Sequence, residues 1–162
     1  MQSEPGSATY FGIFAHCYLS FNPSHCATPG QCVERKAMAR VLIVEQDVLF
    51  GERLRDLTSA QGIEPDLCQG LGEAILKLRE HHYHALVVDI DQESLDPADV
   101  IGVLKAVSPG VSVIAITDEN RLEMEKHVRE QGIFYYLVKP VEEREYAEAV
   151  NRALQYSDSF AV

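Results

Sequence analysis

Short apolar runs rich in β-branched residues alternate along the chain with longer stretches whose apolar positions recur every three or four residues. Val41-Leu42-Ile43-Val44 is the first run and predicts a strand. Val48, Leu49, Leu54, Leu57 and Ala60 then predict a helix over 48–60, punctuated by Gly62. Ile63 to Cys68 is a weaker strand pattern, interrupted by Pro65. Leu71, Ala74, Ile75 and Leu78 mark a second helical face, and Ala85-Leu86-Val87-Val88 is a continuous strand run ending in Asp89. Val100, Ile101, Val103, Leu104 and Val107 suit a third helix, stopped by Ser108-Pro109-Gly110. Val111 to Ile116 reads as a strand ending in Thr117, and 119–130 as a charged helix with Leu122 and Val128 inward. Phe134 to Val138 is a fifth strand ending in Lys139-Pro140, and 142–155 a last helix on Tyr146, Ala149, Val150, Ala153 and Leu154.

Five strands alternating with five helices predict an α/β fold built on a parallel sheet. The uninterrupted apolar strands agree, because helices on both faces would bury both sets of side chains. At 162 residues the chain is about one domain long, and with so few residues after the last helix no second domain is expected there. Residues 1–37 depart from the pattern, with no clear period of 2 or 3.6. Met38 stands immediately before the first strong strand. The segment therefore reads either as a disordered extension or as the product of a start assigned upstream of Met38. The expected division is one α/β unit over 38–156 and a short tail over 157–162.

Charge narrows the partners. The formal net charge is −11, from 14 basic and 25 acidic residues. Residues 1–37 carry two acids (Glu4, Glu34) and two bases (Arg35, Lys36), so the whole excess belongs to the α/β part. Such a surface is a poor match for a phosphate backbone, so no nucleic-acid partner is expected. No run of about 18 apolar residues predicts a bilayer span, and a cytoplasmic protein without a membrane partner is expected. Cys17 and Cys26 lie beside His16 and His25, with Cys32 further on, but the cysteine spacings of 9 and 6 differ from the close cysteine pairs of zinc sites. His81, His82 and His84 fall in a helix-to-strand connection and read as a solvated loop.

The chemistry gathers where strands end. In open parallel sheets, ligands sit beyond the carboxyl ends of the strands. The first strand exits through Glu45-Gln46-Asp47, the third through Asp89-Ile90-Asp91, the fourth at Thr117 and the fifth at Lys139. A central carboxylate flanked by acids, a hydroxyl and an ammonium suits phosphoryl transfer. The carboxylate can attack phosphorus to give an aspartyl-phosphate. Flanking acids can hold Mg²⁺ through oxygen, and the cation, ammonium and hydroxyl can neutralise the phosphoryl oxygens.

Residues 40–154 resemble a response-regulator receiver domain. The resemblance is carried by VLIVEQD, by GLGEAILKLREHHYHALVVDI, by VIAIT and by the aromatic-x-x-Lys-Pro segment within GIFYYLVKP. It implies a doubly wound, flavodoxin-like five-stranded sheet in the order 2-1-3-4-5 with helices on both faces. It implies that Asp89 is the phospho-acceptor, Thr117 the hydroxyl that follows the phosphoryl group, Lys139 the ion-pairing lysine and Tyr136 the aromatic switch, turning inward as Thr117 moves. Mg²⁺ would be held by Glu45, Gln46, Asp89 and the backbone carbonyl of Asp91. A cis peptide at Lys139-Pro140 is also implied. The implied partners are a histidine kinase or phosphotransfer protein and a downstream protein met through the fourth helix, fifth strand and fifth helix.

Three positions depart from the family pattern. Gln46 replaces a carboxylate, Gln92-Glu93-Ser94 replaces Met-Pro-Gly, and Asp118 replaces a small residue after the hydroxyl. The leading expectation is a stand-alone receiver with no enzymatic turnover. Gln46 and Asp118 favour, as the alternative, a receiver-like binding module that works without phosphorylation. A third reading rests on Asp89-Ile90-Asp91, which matches the Asp-x-Asp of haloacid-dehalogenase-like phosphatases but lies on the third strand rather than the first.

Overall fold

Val41, Leu42, Ile43 and Val44 are all fully buried in the first strand, β1 (Arg40–Val44). Alternate side chains of a strand point to opposite faces, so both faces of β1 must be covered. In the computed structural model, which describes residues 39–91 and 95–158, they are. The elements run β1, α1 (Val48–Ser59), β2 (Glu64–Cys68), α2 (Leu71–Glu80), β3 (Ala85–Asp89), α3 (Pro97–Val107), β4 (Ser112–Thr117), α4 (Leu122–Glu130), β5 (Tyr135–Val138) and α5 (Glu143–Asp158). All neighbouring strands pair in parallel, in the order β2-β1-β3-β4-β5. The doubly wound α/β architecture expected from the alternation is the one observed.

The two faces of the sheet carry separate cores. Leu42, Val44, Leu86, Val88, Val113 and Ala115 pack with residues of α2, α3 and α4. Val41, Ile43, Val87, Ile114, Ile116 and Leu137 pack with residues of α1 and α5. Tyr146, Ala149, Val150, Ala153 and Leu154 of α5 are all buried, as their spacing predicts. The Tyr146 hydroxyl is satisfied inside by Thr58 of α1, 2.8 Å away. Gly51 lets α1 lie close to the sheet, because a Cβ there would stand 3.0 Å from Leu67 Cδ1 and 3.4 Å from Glu45 Cγ. Gly62, at φ +73°, turns the chain from α1 into β2 in a region that side chains rarely adopt.

Several sequence expectations are corrected in detail. Pro65 does not interrupt the second strand; it sits inside β2, which is an edge strand, where its missing N–H costs no central ladder bond. Leu122 was expected inward but is 63% exposed, because α4 begins at that residue rather than at 119. Val128 is the one fully buried residue of α4, with Met124 packed beside it. Burying one valine stabilises by about 1.5–3 kcal/mol, so α4 is lightly anchored beside α5. Val48 and Leu49 also face outward, since the first turn of α1 lies at the rim of the sheet. α3 starts earlier than its apolar pattern, at Pro97, with Asp96 capping the Ala98 N–H. α5 continues to Asp158, into the expected tail. His81 and His82 are exposed in the α2–β3 connection, while Tyr83, the next residue, is buried and His84 Nδ1 accepts from the Arg40 N–H. The cysteines at 17, 26 and 32 and the Gln92-Glu93-Ser94 replacement lie outside the described residues.

Candidate functional site

Four strand ends converge at one edge of the sheet, and three of them bear on one ammonium. Lys139, just past β5, places its Nζ 3.0 Å from Asp89 Oδ2 at the end of β3. The same Nζ lies 3.6 Å from Glu45 Oε2 at the end of β1 and 3.4 Å from Asp118 Oδ1. Burial works to lower the Lys139 pKa, but the hydrogen bond to Asp89 and the charges of Asp89, Glu45 and Asp118 outweigh it and hold it raised. Its Nζ also stands 4.9 Å from the centre of the Phe50 ring. The Lys139-Pro140 peptide is cis. These groups face an open cleft of about 610 Å³, with Gln46, Asp47 and Arg53 at its rim.

Glu45 is the most constrained of the carboxylates. It is 2% exposed, and its Oε2 has no hydrogen-bond partner although Lys139 is near. Burial pushes its pKa up to about 7; the Asp47 N–H, bonded to Oε1 at 2.9 Å, opposes this, and the neighbouring Asp89 charge adds to it. Gln46 is exposed at the rim. Asp47 does not supply the charge that Gln46 lacks, because its Oδ1 caps α1 by accepting the Phe50 N–H at 3.0 Å.

Thr117 and Asp91 form a second constellation. The parallel register pairs Asp89 with Ile116, so Asp91 comes level with Asp118 one step beyond the ladder. The Asp91 N–H donates back to Asp89 Oδ1 at 3.0 Å. Its carboxylate crosses to β4, where Oδ1 accepts the Thr117 hydroxyl at 2.9 Å and Oδ2 accepts the Asp118 N–H in a short contact. Thr117 is buried and also accepts the Glu119 N–H at 3.2 Å. The receiver resemblance offers Asp91 only as a backbone carbonyl; the structure engages its side chain as well. Tyr136 pairs with Ala115 in the sheet, on the face that Thr117 shares two residues on. Tyr136 is 9% exposed, with the Arg129 guanidinium 5.9 Å from its ring centre. Burial raises its phenol above the ordinary tyrosine range; the nearby Thr117 hydroxyl works the other way but is short of a formed hydrogen bond.

The donor set is oxygen-rich and suits a hard cation. Among the described residues no three histidine, cysteine or carboxylate side chains converge as a complete cage. Glu45 Oε2 is nonetheless a buried, unpartnered anionic oxygen beside Asp89. Mg²⁺ commonly binds through one or two carboxylates and keeps several waters. Among the described residues no helix is long and apolar enough to cross a membrane.

Comparison with known proteins points the same way. Residues 41–151 match the response regulator receiver domain family. The transcriptional regulatory protein MalR of Bacillus subtilis is 29% identical over 116 residues, covering 70% of this chain and 49% of its own length. The response regulator receiver protein Anae109_2439 of Anaeromyxobacter is 27% identical, covering 64% of this chain and 44% of its own length. The chain therefore spans about half the length of these relatives. Among solved structures, a CheY-like receiver domain protein from Methanospirillum hungatei superposes with a TM-score of 0.71 at 21% identity, covering 76% of this chain and 98% of that one. The beryllofluoride-activated NtrC4 receiver domain dimer superposes at 0.69 with 24% identity, covering 73% and 98%.

Proposed function

The chain belongs to the response regulator receiver domain family, and on that premise we propose that it takes a phosphoryl group on Asp89 from a histidine kinase or phosphotransfer protein and signals through protein contacts. The observation that carries this reading is the Asp89–Lys139 pair at 3.0 Å, open to a cleft at the strand ends. An Asp89 carboxylate oxygen attacks phosphorus, the P–N bond of the donor phosphohistidine breaks, and the imidazole leaves with that electron pair. Lys139 stays beside the new acyl phosphate and offsets its charge. Glu45, Asp89, the Gln46 side-chain oxygen and the Asp91 backbone carbonyl would hold Mg²⁺, which supplies further charge neutralisation on the phosphoryl oxygens. A phosphohistidine donor is charged from ATP, which puts the exchange in the cytoplasm. The output surface is α4, β5 and α5, where α4 is held by little buried area.

A specific observation favours the second reading, a module that works without phosphorylation: Tyr136 is already inward and Thr117 is already engaged. The phosphatase reading gains no such support, since Asp91, the second aspartate of its Asp-x-Asp, is tied to Thr117 and Asp118. Incubation of the full chain with acetyl phosphate and Mg²⁺, followed by intact-mass measurement, separates the first two readings. Addition of one phosphoryl mass is the expected result, and no addition at saturating donor rejects the acceptor reading.

Two further outcomes follow from the site and its frame. Gln46→Asp is expected to tighten Mg²⁺ by on the order of tenfold, because one added negative charge a few ångströms from a cation is worth about 1–4 kcal/mol near a protein surface. Isothermal titration measures it, and an unchanged affinity would show that Gln46 lies outside the metal's reach. Residues 38–156 are proposed as the receiver unit. Deleting residues 1–37 is expected to leave the thermal midpoint within a degree or two, because among the described residues both faces of the sheet are already covered by the five helices. A drop of several degrees by calorimetry would contradict that division.

A further inference from the structure

We infer that the Asp91 carboxylate is an internal stand-in for the phosphoryl group, holding the Thr117 hydroxyl and the Asp118 N–H and so keeping Tyr136 inward before any transfer takes place. The inference rests on the reading of Thr117 and Tyr136 as the switch and goes beyond it by assigning the residue that sets the switch at rest.

The geometry supports it at three points. First, the two donors at the mouth of β4 nearest the acceptor are both used by one carboxylate, one on each oxygen. A carboxylate and a phosphoryl group present the same kind of anionic oxygen, and charge-assisted hydrogen bonds to either are about twice as strong as neutral ones. Second, the Asp91 backbone is tethered to the acceptor itself, its N–H donating to Asp89 Oδ1 at 3.0 Å. The stand-in is therefore built onto the same carboxylate that would carry the real group. Third, the Thr117 hydroxyl is turned to Asp91, 2.9 Å away, with the Glu119 carbonyl as a longer second acceptor at 3.3 Å. The buried Tyr136 hydroxyl has no hydrogen-bond partner. An inward tyrosine with an unpaired hydroxyl is costly, so something must hold the space open for it. Thr117, drawn toward Asp91, does so from the neighbouring strand on the same face.

A structural alternative is that Asp91 only secures the β4–α4 loop. The two roles differ in what they do to Tyr136, and NMR of the full chain reads that residue directly. The Asp118 amide and the Tyr136 ring are followed in the native protein, in Asp91→Ala and in Asp91→Asn, each with and without beryllofluoride and Mg²⁺. Asp91 is exposed, so both variants are expected to fold. Without beryllofluoride, Asp91→Ala should move the Asp118 amide upfield and shift the Tyr136 ring signals. Asp91→Asn, which keeps one acceptor oxygen but no charge, should shift them less. Beryllofluoride, imitating a phosphoryl group on Asp89, should return the Tyr136 signals of Asp91→Ala toward their native positions. In the native protein it should move signals around Asp89 and leave the Tyr136 ring nearly in place. Tyr136 signals unmoved in both variants would overturn the inference. If beryllofluoride moves nothing around Asp89 in either native or Asp91→Ala protein, the acceptor reading fails instead, while the response of Tyr136 to the Asp91 variants still decides this inference.

Discussion

Asp89→Asn is expected to abolish phosphoryl incorporation, to the background of the mass measurement. The side chain keeps its size and one oxygen, so Lys139 retains an acceptor near 3.0 Å and the five-stranded frame is undisturbed. What is lost is the nucleophile: an amide oxygen has given up its charge and cannot form the acyl phosphate. Neither neighbour is placed to substitute. Thr117 is 1% exposed and its hydroxyl is turned to Asp91. Asp91 has both oxygens engaged by donors at the end of β4. Incubation with acetyl phosphate and Mg²⁺ checks this by intact mass. Retained incorporation that disappears only when Asp91→Asn is added would transfer the acceptor role to Asp91 and undo the reading of the site.

The residues that make the site were legible because parallel strands bring their carboxyl ends together whatever the helices between them do. An acid after Val88, a hydroxyl after Ile116 and a lysine after Val138 come out at one end of the sheet once the strand order places β3, β4 and β5 side by side; the acid and the lysine pair there, while the hydroxyl turns to Asp91. The buried strand runs were equally plain, since each of their residues has a helix over it on one face or the other. Helix orientation was less so. Leu49 and Leu122 look like core residues by type and spacing, yet both stand in a first turn that overhangs the sheet edge and face solvent. Spacing shows that a helix has an apolar stripe but not where along its length the sheet stops. The side-chain role of Asp91 carried a signal that spacing alone does not decode. An acid two residues past the acceptor leaves the ladder level with the residue after Thr117, a consequence of the Asp89–Ile116 register rather than of the motif.

Glu45→Gln is expected to raise the stability of the metal-free protein by about 2 kcal/mol near pH 8 and to change it little near pH 4. The folded carboxyl titrates at about 7 against an ordinary value of 4.5, burial being the chief cause. One pKa unit corresponds to about 1.4 kcal/mol, so keeping Glu45 ionised inside costs roughly 3 kcal/mol, reduced in the comparison because Lys139 loses a nearby charge. The sign follows from proton uptake. Between about 4.5 and 7 the folded state keeps a proton that the unfolded chain has released, so stability falls as pH rises and levels off above about 7. Glutamine has nothing to release, so the difference between variant and native should open across that window and then hold. For a chain of this size the upper limit amounts to about 5 °C in thermal midpoint. Differential scanning calorimetry at pH 4, 6 and 8 measures it, and a difference that does not change with pH would show that the strain at Glu45 is not electrostatic. Saturating Mg²⁺ should work in the opposite direction. It binds the folded native protein and needs the charged carboxylate, so it should raise the midpoint of the native chain and not of the variant. The same burial that destabilises the empty pocket thus keeps an anionic oxygen unpartnered beside Asp89, where a cation can use it.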